Sequence, residues 1–274
     1  MIIADLHTHT NFSTDSNANP VDMIEQAIAL GLTKYCITDH MDYHYPHGDA
    51  GNFTFDPVEY VKTLMELKER YAKQIEVLIG VELGLRNEPE VKEEVRDYYR
   101  TLTKEHSFDF VLGSTHVLWN YDPYFKEFWD HRTTKEGLTE YFNSITHNVA
   151  YYDMFQVCSH LDYIIRYVGD GIKQYEVSEY QAVIDEMLKA IIAHGKGIEC
   201  NTSGFKYRLG FPHPKTEILK RYKELGGEVI TLGSDAHRPE HIANDFTTAQ
   251  KLLLELGFQY YTIYQGQKPT MIKL

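Results

Sequence analysis

Short apolar runs recur along the chain, separated by longer stretches whose apolar residues fall at helical spacing. The first run covers residues 1–4. A polar loop (11–19) follows it, and then a helix that Pro20 opens and Gly31 stops. Further runs lie at 34–38, 77–81, 108–112, 154–158, 197–201 and 229–233. Between them the spacing predicts helices from Asp56-Pro57 to about 73, then over 89–105, 134–148, 178–194, 214–225 and 239–256. A short tail has room for one more strand. Runs apolar on both faces suit buried parallel strands, and strand–helix units in series build a parallel sheet with crossover helices. Seven units can close as a distorted (β/α)7 TIM-like barrel. The competing doubly wound sheet would need a glycine-rich phosphate loop after its first strand, and His7-Thr8-His9 stands there instead.

The residues that follow these runs change the picture. His7 and His9, His40, Glu82, His116, His160, and Asp235 with His237 end six of the seven strands. In an α/β barrel the active site lies at the C-terminal ends of the strands. One such residue would more often be a helix cap or a hydrogen-bonded polar group. Metal-ligand types recurring at six strand ends point instead to a metal centre. His44 and His47 follow His40 in a loop that should reach this site, where substrate or acid–base roles are open to them. The histidines on helices (His106, His147, His194 and His241) and in other loops (His131 and His213) receive no role.

Composition narrows the partners. The net charge of −13 argues against a nucleic-acid surface, which needs a basic patch, but leaves room for a small phosphorylated substrate in a local cationic pocket. No apolar run approaches the ~20 residues that span a bilayer, and the start lacks a signal-peptide pattern. Three cysteines, an odd number in apolar runs, suit buried thiols in a reducing cytoplasm. A monomer or small homo-oligomer is expected.

Six ordered motifs carry a resemblance: Asp5-Leu6-His7-Thr8-His9-Thr10, Ile37-Thr38-Asp39-His40, Gly80-Val81-Glu82, Gly113-Ser114-Thr115-His116, Ser159-His160-Leu161-Asp162 and Gly233-Ser234-Asp235-Ala236-His237. Together they resemble the PHP (polymerase and histidinol phosphatase) superfamily of metal-dependent phosphoesterases. Length and motif spacing are most similar to the stand-alone histidinol-phosphate phosphatases of histidine biosynthesis. The resemblance implies one domain over 1–274 and a trinuclear centre of divalent zinc, manganese or iron. On this resemblance one ion takes His7, His9, Glu82 and Asp235. A second shares Glu82 and adds His116 and His160, and a third takes Asp15, His40 and His237. Asp15 lies in a loop and is implied by the resemblance alone. The implied reaction is hydrolysis of L-histidinol phosphate. The alternatives are other PHP phosphoesterases acting on nucleotides, oligonucleotides or phosphotyrosine. An amidohydrolase, or a non-enzymatic metal module, fits the filled ligand positions less well.

Phosphate monoesters hydrolyse slowly and need large electrostatic help. Planar guanidinium forks suit phosphate, which nominates Arg166 and Arg208, with Lys206 as a third cation. Asn201 and Glu199 share a face by period two, and one of them is expected to touch substrate. Asp42 or His44 is expected to protonate the leaving alkoxide. Asp42 and the loop 43–55 are the expected readers of the substrate's ammonium and imidazole. Asp5 and Asp39 are expected either to orient imidazoles or to serve loop hydrogen bonds. The aromatic segment 119–129 reads as a loop over the site or part of an interface.

Overall fold

Among the described residues, eight parallel strands form one sheet whose two ends meet. The computed structural model describes residues 2–46, 53–130, 132–168 and 175–274. The strands are β1 (Ala4–Asp5), β2 (Lys34–Ile37), β3 (His40–Met41), β4 (Glu76–Gly84), β5 (Phe110–Ser114), β6 (Val157–Cys158), β7 (Gly197–Asn201) and β8 (Ile230–Gly233). Their order is β1-β2-β4-β5-β6-β7-β8, with β3 resuming beside β4 after a break at Thr38-Asp39. The ends join through the chain just past β1. Leu6 N–H donates to Leu232 O (3.1 Å), Asp235 N–H to His7 O (2.8 Å) and His9 N–H to Ala236 O (2.8 Å). On the other edge Thr38 N–H donates to Thr8 O (2.8 Å). The expected α/β barrel is therefore present, and the segment that closes it is the His7-Thr8-His9 segment itself.

Helices α1 (Pro20–Ala29), α2 (Pro57–Tyr71), α3 (Lys92–Glu105), α4 (Lys126–Trp129), α5 (Thr134–Tyr151), α6 (Gln181–Ala193), α7 (Ser203–Lys206), α8 (Thr216–Glu224) and α9 (Phe246–Glu255) accompany the strands. Local chemistry starts several of them. Asn19 and Asp56 accept backbone N–H groups ahead of Pro20 and Pro57, and Thr133 with Glu136 forms a reciprocal capping box. α6 buries Ile184, Met187, Leu188 and Ile191, a stripe at i, i+3, i+4, i+7. No helix among the described residues is long and apolar enough to cross a membrane.

Three departures from the expected elements matter. β4 runs on through Glu82, so this carboxylate sits inside the strand, in register with His40 of β3. α9 begins later than the periodicity implies. Buried Asp5 accepts the Ala243 N–H (2.9 Å), which pulls the preceding loop onto the barrel, and Ala243 and Asp245 take left-handed backbone there (φ 52° and 55°). The tail forms an antiparallel hairpin, β9 (Tyr260–Gln265) with β10 (Lys268–Lys273). It covers the N-terminal end of the barrel: Ile3 N–H donates to Tyr261 Oη (3.0 Å), and Gln267 N–H to Asp109 O (2.8 Å). That leaves the opposite mouth for the site.

Candidate active site

Glu82 occupies the centre of that mouth, fully buried, and its two oxygens face different histidines. Oε1 lies 2.9 Å from His160 Nε2 and 3.3 Å from His116 Nε2, and it accepts Ser114 Oγ–H at 2.6 Å. Oε2 lies 3.2 Å from His7 Nε2, 3.4 Å from His9 Nε2 and 3.1 Å from His40 Nδ1. Asp235 Oδ1 is 3.5 Å from His9 Nε2. Asp15 Oδ2 reaches His237 Nε2 (3.1 Å) and His40 Nε2 (3.7 Å). All nine residues named as candidate metal ligands thus converge. Among the described residues, four triads have donor atoms close enough to share an ion: His7/His9/Glu82, Glu82/His116/His160, His9/His40/His237 and His40/Asp42/His116.

The far nitrogens of three of these rings are held by the protein. His7 Nδ1 is 2.8 Å from Glu199 Oε1, and His116 Nδ1 is 2.7 Å from Asp42 Oδ1. His9 Nδ1 contacts Ser13 Oγ (3.0 Å), whose hydroxyl donates to Asp39 (2.6 Å). Acceptors on Nδ1 fix the tautomer and direct Nε2 inward, as in metal-binding histidines generally. Of the two aspartates nominated for this task, Asp39 performs it through Ser13. Asp5 touches no imidazole and instead binds Ser234 and Ala243. Two glycines make the room. A Cβ at Gly84 would collide with the Asp42 carboxylate, and one at Gly233 with Glu199 and His7.

The electrostatics call for cations. Burial would raise the Glu82 carboxyl, but His7, His40 and His116 outweigh it and hold it well below the usual range. Burial would likewise lower His116, yet the carboxylates of Asp42 and Glu82 push it up to about 10. His7 and His40 are raised for the same kind of reason, by Glu199 and Glu82 and by Glu82 and Asp15 respectively. His9 is kept neutral by burial and by His237 and His40. Clustered carboxylates therefore draw protons onto imidazoles, where a divalent ion could supply the charge instead. Glu82 Oε2 and His40 Nδ1 are buried without a well-aligned hydrogen bond among the described residues. Mixed imidazole and carboxylate donors around such orphaned atoms fit divalent transition metals.

Outside the centre the nominated residues divide. Arg166 lines the cleft of about 650 Å³ above the histidines, its guanidinium 4.4 Å from the Tyr207 ring centroid and its Nε without a hydrogen-bond partner among the described residues. Lys206 lines it too. Arg208 does not: it follows α7 with left-handed backbone (φ 61°) and is exposed to solvent. Asn201 is buried with its amide committed, donating to Glu199 Oε2 (3.0 Å) and accepting from Ser203 N–H (2.9 Å). It supports Glu199, which supports His7, so the pair sits beneath the site rather than against a substrate. Asp42 is the partner of His116, and its carboxyl is held below the usual range because His116 and His40 outweigh its burial. An ionised group in that position orients an imidazole and is a poor proton donor. His44 points to Glu94 of α3 (3.2 Å) and lines no part of the cleft, and His47 lies outside the described residues. Arg238 and His241 line the cleft although no role was expected of either. The three cysteines are buried with thiols pushed up by burial, Cys158 to about 12, so none is a reactive thiolate.

A parallel α/β barrel with histidines and carboxylates at its C-terminal mouth defines a metal-binding hydrolase-type domain. The family model described as PHP domain matches residues 5–203, and the chain belongs to that family. It is 34% identical over 254 residues to a Clostridium acetobutylicum protein named "Probable histidinol-phosphatase", covering 92% of each chain. It is 30% identical over 270 residues to the "Histidinol-phosphatase" of Lactococcus lactis, covering 96% of this chain and 95% of the relative. A crystal structure of histidinol phosphate phosphatase from Lactococcus lactis, complexed with zinc, L-histidinol and phosphate, superposes with a TM-score of 0.86. It is 28% identical and covers 97% of this chain and 98% of its own.

Proposed function

We propose that this chain is a metal-dependent phosphatase that hydrolyses L-histidinol phosphate to L-histidinol and inorganic phosphate. The observation that carries the reading is one buried carboxylate, Glu82, facing imidazoles of two sets, with the Arg166 guanidinium on the cleft wall above. The substrate follows from similarity along nearly the whole chain to a phosphatase whose crystal structure holds zinc, L-histidinol and phosphate. The reaction belongs to histidine biosynthesis, in the cytoplasm, with the barrel and its hairpin acting as one domain over 1–274.

The donor sets are His7, His9, Glu82 and Asp235; Glu82, His116 and His160; and Asp15, His40 and His237, holding three divalent ions. When bound, such ions supply positive charge to the phosphoryl oxygens and acidify water for in-line attack. The chain's own groups do the rest. Glu82 spans two donor sets and ties their positions together. Glu199 and Asp42 hold His7 and His116 as Nδ1–H tautomers. Arg166 and Lys206 bind and orient the phosphate dianion, and the aromatic cleft wall excludes water from around it.

Removal of metal tests the reaction class. Chelation should abolish phosphate release from L-histidinol phosphate, and zinc, manganese or iron should restore it, with activity saturating near three ions per chain. Undiminished turnover by metal-free protein, checked by elemental analysis, would refute the reading.

A further inference from the structure

β3 is two residues long, yet it begins with His40 and leads into Asp42. Its chain is parted from β4 upstream, at Thr38-Asp39, and leaves β4 again after Met41. A tyrosine hydroxyl stands at each of these points. Tyr60 of α2 sends Oη between β2 and β4, 3.1 Å from Ile37 O and 2.9 Å from Gly80 O, where it accepts the Asp39 N–H (3.3 Å). Tyr99 of α3 places Oη between β3 and β4, 2.7 Å from Met41 O and 2.8 Å from Gly84 O, and accepts the Tyr43 N–H (3.0 Å). Both tyrosines are fully buried. A hydroxyl both donates and accepts, so each one bridges the two strands where the ladder does not.

The strand opposite is built alike at both bridges. Gly80 and Gly84 flank Val81-Glu82-Leu83, and a Cβ at either would collide with the facing segment, with Thr38 and Cys36 at Gly80 and with Asp42 at Gly84. Glu82 therefore lies midway between two points of close approach. What the hydroxyls anchor leads on to the imidazoles. Behind the Tyr60 bridge, the Asp39 carboxylate accepts Ser13 Oγ–H (2.6 Å), and Ser13 Oγ contacts His9 Nδ1 (3.0 Å) and accepts the His40 N–H (3.0 Å). Behind the Tyr99 bridge, Asp42 Oδ1 holds His116 Nδ1 (2.7 Å). Neither tyrosine is among the residues lining the cleft, so any effect of theirs passes through these donors.

We propose that Tyr60 and Tyr99 are positioning residues of the metal centre, their hydroxyl bridges fixing the main chain on which Asp39, His40 and Asp42 stand. The inference rests on the metal-binding reading given under Proposed function. Without a hydroxyl, a buried amide and two buried carbonyls lose a partner, and the segment shifts to recover them.

The test is titration of the metal-stripped full chain with zinc against a chromophoric chelator, alongside its thermal unfolding without metal. Tyr60→Phe and Tyr99→Phe should each weaken the least tightly held zinc about tenfold, as loss of groups behind metal ligands does. Tyr222→Phe is the comparison. Tyr222 is also buried, and its hydroxyl donates to Val229 O (3.0 Å), at the end of β8 away from the mouth. This variant should lose similar thermal stability but keep zinc affinity within about twofold. Unchanged zinc affinity in Tyr60→Phe or Tyr99→Phe, or an equal loss in Tyr222→Phe, would overturn the assignment. A second measurement needs no variant. Zinc should slow hydrogen exchange of the Asp39 and Tyr43 amides, which donate to the two hydroxyls, about tenfold more than that of the Gln267 amide on the remote hairpin. Equal slowing at all three would overturn the coupling. Failure of the underlying reading has its own signature: the wild-type chain would bind no zinc.

Discussion

Glu82→Gln is expected to lower kcat on L-histidinol phosphate by about a thousandfold or more, which corresponds to about 4 kcal/mol of transition-state stabilisation. The reason is positional. Glu82 is fully buried, with Oε1 toward His116 and His160 and Oε2 toward His7, His9 and His40. Glutamine keeps the shape but offers one neutral acceptor and one amide donor, so it cannot present anionic oxygens to both donor sets. The positive charge gathered there would lose its central counterion in a buried site, where such losses are large. Elemental analysis of the purified variant should show fewer metal ions per chain than wild type. Full activity with full metal content would remove Glu82 from the centre of the mechanism.

Arg166→Met is the second large effect, expected to reduce kcat/KM about a hundredfold or more, or about 2.7 kcal/mol. Arg166 lines the cleft beside the Tyr163, Tyr167 and Tyr207 rings, and its buried Nε has no hydrogen-bond partner among the described residues, which leaves that donor for an anion. Methionine retains much of the packing volume and removes the charge. Arg208→Met serves as the comparison, because Arg208 is exposed and is not among the residues lining the cleft, and it should stay within about twofold of wild type as surface substitutions usually do. Comparable losses from both substitutions would mean that neither acts by direct contact with phosphate.

The contrast between these arginines marks how far the sequence could be read. The barrel was legible because buried parallel strands are apolar on both faces and histidine or carboxylate residues follow six of the seven apolar runs, so His7, His40, Glu82, His116, His160 and His237 stand at countable positions even though β4 continues past Glu82. Asp15 has no such signal, because it sits in a loop and reaches His237 only through the fold. Period two correctly put Glu199 and Asn201 on one face. It could not reveal that Glu199 would be spent on His7 Nδ1 and Asn201 on Glu199. Distance along the chain from a strand end likewise could not tell Arg166, which lines the cleft, from Arg208, which is exposed to solvent. Asp42 or His44 was expected to donate a proton to the leaving group, and Asp42 pairs with His116 instead. Its contact with His116 depends on a glycine, Gly84, across a strand, and no local pattern announces that.

The most direct measurement is phosphate release by the metal-loaded protein from L-histidinol phosphate, a nucleoside monophosphate and an aryl phosphate under one set of conditions. A preference for L-histidinol phosphate of about a hundredfold or more in kcat/KM, or about 2.7 kcal/mol, is the expected result. Equal and slow turnover of all three would contradict the named substrate.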